Sequence, residues 1–376
     1  MTTGEISAAT SETVTAREID QQPGLWNLVY ADASGPHADP ALAEFLRDPA
    51  VRIVLTGAGT SAFVGEILAP ALRRSLRRRV DAVATTDIVA DPRAVFAEDI
   101  PTLLVSFARS GDSPESTAAT AFADATLSTV RHLVITCNAD GELARLHGGR
   151  ADSTVHTMPA AANDRGFAMT SSFSCMLLAA QLLLAPGSAD SDAVTRTSAA
   201  AQRILDERAD AVAALAGRRY RRVVFLGSDT FAGLAREAAL KLLELTAGRI
   251  VSHPDTPLGF RHGPKAILDD DTLAVVFVST DPYTRRYDED IATELRAALG
   301  DDHVVAITAD GTDATWDVGD LAGLPEPLTA LPYVVVAQRF ALLSSVELGL
   351  TPDNPFPSGE LNRVVQGVTI HELPAD

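Results

Sequence analysis

The chain has 376 residues, of which 46% are hydrophobic and 22% charged, and it carries a net charge of −19. That length allows two or three domains with sizeable cores, and the proportions are ordinary for a soluble globular protein. The acid excess excludes a nucleic-acid surface, which needs a basic stripe, but it does not exclude an anionic substrate, because strand-to-helix turns bind phosphate locally through backbone N–H groups.

Residues 1–12 are polar, without the basic start and apolar run of a secretory signal. A helical pattern follows from about Val14 through Ile19, Leu25, Leu28 and Val29, up to Ser34-Gly35-Pro36. A short helix from Pro40 to Leu46 then leads into a first strand at Val51 to Thr56. From that point the chain repeats itself. Arg52 to Gly57 (RIVLTG) matches Arg222 to Gly227 (RVVFLG), and Thr102 to Phe107 matches Thr272 to Phe277, both at an offset of 170 residues. His132 to Thr136 matches His303 to Thr308 one residue further on. Three strand-like matches in one order and register indicate a tandem duplication of an α/β unit.

Each copy alternates short apolar strands with Ala/Leu-rich helices, the pattern of a parallel sheet covered on both faces. The predicted fold class is therefore α/β: two tandem doubly wound parallel-sheet domains behind a helical N-terminal extension. The expected boundaries are an extension over 1–44, domains over 45–190 and 215–350, an exposed helical linker over 191–214, and a tail over 351–376. Ser174 to Ala185 is too short for a membrane span and is interrupted by Gln181, so it reads as a core helix. Cys137 and Cys175 lack a CxxC spacing and read as buried, reduced thiols of a cytoplasmic protein.

Ligands of such sheets sit beyond the carboxyl ends of the strands, which selects three stretches. The first turn, Thr56-Gly57-Ala58-Gly59-Thr60-Ser61, and the second, Ala108-Arg109-Ser110-Gly111-Asp112-Ser113, both enter helices. Hydroxyls at two helix N-termini suit an anion, with Arg109 as a clamp. The simpler alternative is ordinary capping, Ser113 with Ser116 or Glu115 and Thr60 with its own helix; the pairing of the turns in consecutive βα units favours phosphate.

The third stretch is a strand, Val223 to Leu226, then a polar turn, Ser228-Asp229-Thr230, that caps a helix to about Thr246 with Gly248 as its stop. Between Gly233 and Leu245 the helix bears four charges, Arg236, Glu237, Lys241 and Glu244. The last three fall within roughly 60° of arc, at about 100° per residue. A solvated edge with an ordinary Glu237–Lys241 pair is one reading; a polar cavity is the other, because the following loop returns His253, Asp255 and Gly259-Phe260-Arg261-His262-Gly263-Pro264-Lys265 toward the same strand end. A carboxylate, an ammonium and an imidazole together suit proton transfer on a small polar substrate. His253, Asp255 and His262 fit no established zinc spacing, so neither a metal nor a cofactor is expected.

GAGTS followed by a strand and SGDS resembles the sugar isomerase (SIS) domain of phosphosugar enzymes, and the resemblance covers both halves, as in the isomerase part of glucosamine-6-phosphate synthase. FARSGDSPES, TCNADG, NDRGFAMTSS, LAREAALKLLELTAG, GFRHGPK and NRVVQGVTI together look most like the galactosamine-6-phosphate isomerising deaminase group, formerly labelled tagatose-6-phosphate ketose/aldose isomerase. The resemblance implies that Ser61, Ser110 and Ser113 bind phosphate beside Gly59, Thr60 and Arg109. It implies that Glu244 moves a proton between C1 and C2, with Glu237 and Lys241 in support. It makes His262 the ring-opening histidine, reaching the site of a neighbouring subunit. Arg109 and Ala108 stand where the synthase has a glutamine and a serine. Gln366 stands where the synthase has the lysine that forms a Schiff base with its ketose. Without that amine, a substrate already carrying a C2 amine is favoured.

The expected reaction is isomerising deamination of an aldosamine 6-phosphate, with plain aldose–ketose isomerisation of tagatose 6-phosphate and a non-catalytic phosphosugar sensor as alternatives. The expected partners are a small phosphosugar and a second copy of the chain, in a homodimer or higher homo-oligomer. An apolar helix near Val334 to Leu350 would provide the surface to bury. Neither nucleic acid nor membrane is expected as a partner.

Overall fold

The computed structural model describes residues 12–34, 39–363 and 367–373. It holds two parallel sheets. The first, in the order β2-β1-β3-β4-β5, comprises β1 (Arg52–Thr56), β2 (Val80–Ala82), β3 (Thr102–Ala108), β4 (Val130–Thr136) and β5 (Ser153–Thr157). The second, in the order β7-β6-β8-β9, comprises β6 (Arg222–Gly227), β7 (Val251–Asp255), β8 (Thr272–Phe277) and β9 (Val304–Ile307). The register repeats the offset found in the sequence: Arg52 pairs with Thr102 and Arg222 pairs with Thr272. The central strands β1, β3 and β8 are buried along their whole length, which is why they read as continuous apolar runs.

The chain forms two compact units whose membership does not follow chain order. The first unit takes residues 28–163, 171–188 and those from 361 onward. Its core under one sheet face is Val54, Ile88, Phe96, Leu104, Ala119, Ala123 and Leu127. The Ser171–Leu184 helix is buried almost throughout, and Gln181 donates to Ser188 Oγ at 2.9 Å, as expected of a core helix.

The second unit takes the residues up to 27, the loop 164–170, and 189–360. Its core includes Val224, Leu226, Phe260, Ala274, Val276, Ile291 and Leu295. Residues 14–33 form two helices rather than one continuous pattern, Val14–Asp20 and Gln22–Ala33, broken at Gln21. The expected exposed linker is instead a pair of packed helices, Ser191–Glu207 and Ala209–Gly217. Ala193, Val194, Thr197, Ala201, Ile204 and Val212 are buried, and both helices lie against Glu326–Glu347.

That last helix corrects a second expectation. Glu326–Glu347 is long and apolar enough to cross a membrane, yet 94% of its most apolar window is buried within the protein. A helix apolar all round belongs in a core. It packs against Thr230–Leu245 in its own unit and so does not offer the free apolar face read from Val334 to Leu350.

Candidate active site

In the first unit, β1 feeds the Thr60–Leu76 helix through a turn that demands glycine twice. A Cβ on Gly57 would lie 2.6 Å from the Ser61 carbonyl carbon, and Gly59 sits at φ +55°, a left-handed conformation that favours glycine. Gly59 is the N-cap and offers no side chain to the helix end; the Ser61 N–H donates to the Ala58 carbonyl at 3.1 Å and the Ala62 N–H to the Gly59 carbonyl at 2.9 Å. Thr60 and Ser61 start the helix and are both 4% exposed.

The second turn enters the Pro114–Thr126 helix with Pro114 in its first turn. Ser113 stands at the N-cap but makes no capping bond; its Oγ lies 2.6 Å from Ser116 Oγ. Ser110 Oγ accepts the Asp112 N–H at 3.3 Å, while Asn138 Nδ2 donates to the Ser110 carbonyl at 3.0 Å. Gly141 presses so closely that an added Cβ would meet that carbonyl at 2.2 Å. The turn is thus pinned from beneath. Arg109 is buried, and its Nη2 donates to the Arg363 carbonyl at 3.1 Å, so in this structure it ties down a later stretch of the same unit.

In the second unit, the Thr230–Leu245 helix carries the charged stripe, and the solvated-edge reading is overturned. Lys241 and Glu237 are wholly buried, and the Glu244 side chain is 20% exposed. Lys241 Nζ donates to Glu244 Oε2 at 2.5 Å and lies 3.6 Å from Glu237 Oε1. The tighter contact is therefore with the residue three positions on. Burial alone would lower the Lys241 pKa, but Glu237, Glu244 and the buried Asp164 carboxylate outweigh it, and the value is raised. The ammonium stays charged and offers Glu244 a fixed donor.

His262 lies on the turn after the Pro257–Phe260 helix, which Thr256 caps by accepting the Gly259 N–H at 3.1 Å. Arg261 Nε donates to Glu294 at 2.8 Å, and Lys265 pairs with the same carboxylate. The loop is held rigidly on both sides of His262. The imidazole itself is exposed and makes no side-chain hydrogen bond or ion pair among the described residues. His253 lies 3.7 Å from Asp255. Among the described residues, no group of three or more His, Cys, Asp or Glu is placed to hold a metal ion. Gln366 lies outside the described residues.

A family model for the SIS domain matches residues 45–186. A Streptomyces coelicolor protein provisionally named as the D-galactosamine-6-phosphate deaminase AgaS is 56% identical, over 98% of both chains. The D-galactosamine-6-phosphate deaminase AgaS of Shewanella sp. is 41% identical, over 95% of this chain and 91% of that one. The chain belongs to the AgaS group of the SIS-domain family. The crystal structure of tagatose-6-phosphate ketose/aldose isomerase from Escherichia coli superimposes with a TM-score of 0.87 at 39% identity, covering 97% of this chain and 98% of that one.

The two copies of the SIS turn differ in a way that sequence reading missed. Asp229 stands at φ +52°, ψ −116°, nearly the conformation of Gly59 at φ +55°, ψ −128°. Gly227 is as crowded by Phe231 as Gly57 is by Ser61. The backbone turn is conserved between copies, but Ser61 is replaced by the fully buried Phe231. A carboxylate also occupies this second copy of the turn. Asp288 accepts from Ser228 Oγ at 2.6 Å and from the Ser279 N–H at 2.9 Å. Burial, reinforced by Glu326 and opposed by those two hydrogen bonds, raises its pKa to about 6. The 170-residue offset held the signal, since it aligns Phe231 with Ser61. Asp164, which acts on Lys241 from outside its helix, carried no such signal.

Proposed function

We propose that the chain is an isomerising deaminase that converts galactosamine 6-phosphate to tagatose 6-phosphate and ammonia. The observation that carries this reading is the buried Glu237–Lys241–Glu244 cluster in a member of the AgaS group, with only Glu244 reaching solvent. The hydroxyls of Ser61, Ser110 and Ser113 and the adjoining N–H groups of Gly59 and Thr60 hold the phosphate. His262 assists ring opening. Glu244 takes the C2 proton and returns it at C1; the resulting C2 ketimine is hydrolysed by water, which supplies the ketose oxygen and releases ammonia. Lys241 positions the Glu244 carboxylate throughout. Both cysteines, Cys137 and Cys175, are buried, in keeping with a cytoplasmic enzyme.

A coupled assay for ammonia tests the reaction directly. Release from galactosamine 6-phosphate is expected. Ketose formation from an aldose phosphate without ammonia would mean plain isomerisation, and binding without turnover would mean a sensor.

Ser61→Ala and Ser110→Ala are each expected to weaken phosphorylated sugars by about 1.5–3 kcal/mol, the worth of a hydrogen bond to a charged group, and to leave unphosphorylated sugars unaffected. Comparing KM for the two sugar classes checks this. Equal losses for both would remove the serines from the phosphate site.

The working unit is at least a homodimer, in which His262 of the partner subunit serves each site. The chain's likeness to the synthase and the rigid, exposed His262 turn support this. Mixing inactive Glu244→Gln with inactive His262→Ala should then restore activity toward about a quarter of wild type after random exchange, because a mixed dimer segregates both lesions into one site. Verified exchange without recovery would show that each subunit is self-contained.

A further inference from the structure

TCNADG, residues 136–141, is a motif that the proposed reaction leaves without a task. It follows the end of β4, the strand beside β3, and so runs next to the 109–113 turn that β3 delivers. Three bonds tie the two stretches together, one to each of three consecutive residues of the turn. Asn138 Nδ2 donates to the Ser110 carbonyl at 3.0 Å. The Leu143 N–H donates to the Gly111 carbonyl at 2.9 Å, and the Glu142 N–H to the Asp112 carboxylate at 3.0 Å. Of the three donors, only Asn138 uses its side chain.

Both ends of the Asn138 amide are engaged. Its Oδ1 accepts the Asp140 N–H at 3.2 Å, while its Nδ2 faces a carbonyl, which can only accept. The backbone is fixed as well: the Asn138 N–H donates to Thr136 Oγ1 at 3.2 Å, and the Asn138 carbonyl accepts the Gly141 N–H at 3.2 Å. A trans peptide sets its C=O and the following N–H on opposite sides, and every described peptide bond is trans. Drawing the Ser110 carbonyl toward Asn138 therefore turns the Gly111 N–H to the other side of the turn. Gly111 is buried at φ +73°, and its N–H makes no hydrogen bond among the described residues. A buried N–H without an acceptor is costly, and an oxyanion on that side would satisfy it.

The geometry points to Asn138 as a positioning residue for the substrate phosphate: by holding the Ser110 carbonyl, it aims the Gly111 N–H at the anion that the Ser110 hydroxyl also binds. This rests on the reading of the 109–113 turn as a phosphate site, and adds to it a backbone donor and the side chain that orients it. An aspartate at 138 would still accept from Asp140 but would set oxygen against oxygen at Ser110. A leucine would fill the space and hold neither.

Asn138→Leu is assayed in the full-length enzyme for KM and kcat with galactosamine 6-phosphate and for competitive inhibition by inorganic phosphate. KM and the phosphate inhibition constant should both rise about tenfold or more, the weakening expected when one hydrogen bond to a charged group is lost. The turnover number should stay within about threefold of wild type. Merely structural damage would instead lower the active fraction, and with it kcat, at unchanged KM. Unchanged constants, or a loss confined to kcat, overturn the assignment. Ser110→Ala, measured alongside, separates the underlying reading. If it too leaves phosphate binding intact, the turn does not hold phosphate; if it alone weakens phosphate, only the role of Asn138 falls. Should Asn138→Leu fail to fold, Asn138→Asp keeps the Asp140 contact and should raise the same two constants at least as far. Hydrogen exchange of the wild-type protein, read by mass spectrometry, needs no substitution: inorganic phosphate should slow the Gly111 amide severalfold, and an unchanged rate overturns the assignment.

Discussion

Glu244→Gln is expected to lower kcat by roughly 10²–10⁴-fold, the usual contribution of a positioned acid–base group, with substrate affinity within a few fold of wild type. The substitution keeps the side chain's length and leaves an oxygen to accept from Lys241, whose Nζ lies 2.5 Å from Glu244 Oε2. Under the proposed mechanism, what it removes is the capacity to take a proton at C2 and return it at C1. A loss confined to kcat marks an interaction made in the transition state. Isothermal titration with substrate, set beside steady-state turnover, separates the two quantities. Near wild-type kcat would show that another group moves the proton.

The second large effect concerns stability. Lys241→Met should destabilise the protein by about 3–5 kcal/mol, the cost of removing one partner of a buried ion pair. Methionine matches the lysine stem in volume, so the loss does not come from packing. Glu237 is wholly buried and loses its cation at 3.6 Å, and Glu244 loses its closest donor. The double variant Lys241→Met with Glu237→Gln should recover part of the loss, because two neutral groups replace a stranded carboxylate. Denaturant melts of the four proteins give the coupling energy. Strict additivity of the two substitutions would mean that the buried pair contributes nothing.

Strand positions and the duplication were legible because they rest on local pattern: RIVLTG and RVVFLG are short apolar runs ending at glycine, and both fold as predicted. The charged stripe was legible for the same reason, since helix geometry alone puts Glu237, Lys241 and Glu244 on one face. Its burial was less so. The helix that carries Lys241 is covered by elements distant in sequence, among them the 22-residue helix Glu326–Glu347, which was read as a surface for a second subunit. Uniformly apolar sequence says that a helix is covered, not by what. Long-range polar anchors were invisible. Thr15 and Asp353 are 338 residues apart, and Arg165 and Glu18 are 147 apart; no periodicity encodes such pairs. The role of Arg109 was read from an arginine beside hydroxyls, whereas its guanidinium is engaged with the Arg363 carbonyl.

The second copy of the turn, with Phe231 for Ser61 and Asp288 lodged against Ser228 and Ser279, bears on how many ligands one chain can hold. Two identical copies would each offer a place for a phosphate. In the second copy a carboxylate from within the chain already takes the hydroxyl and the N–H that an anion would need. Under the proposed function, the first copy alone holds the phosphate, and the helix of the second presents the Glu237–Lys241–Glu244 cluster. The arithmetic of saturation follows: each polypeptide should take up one equivalent of phosphosugar, although its architecture displays the binding turn twice.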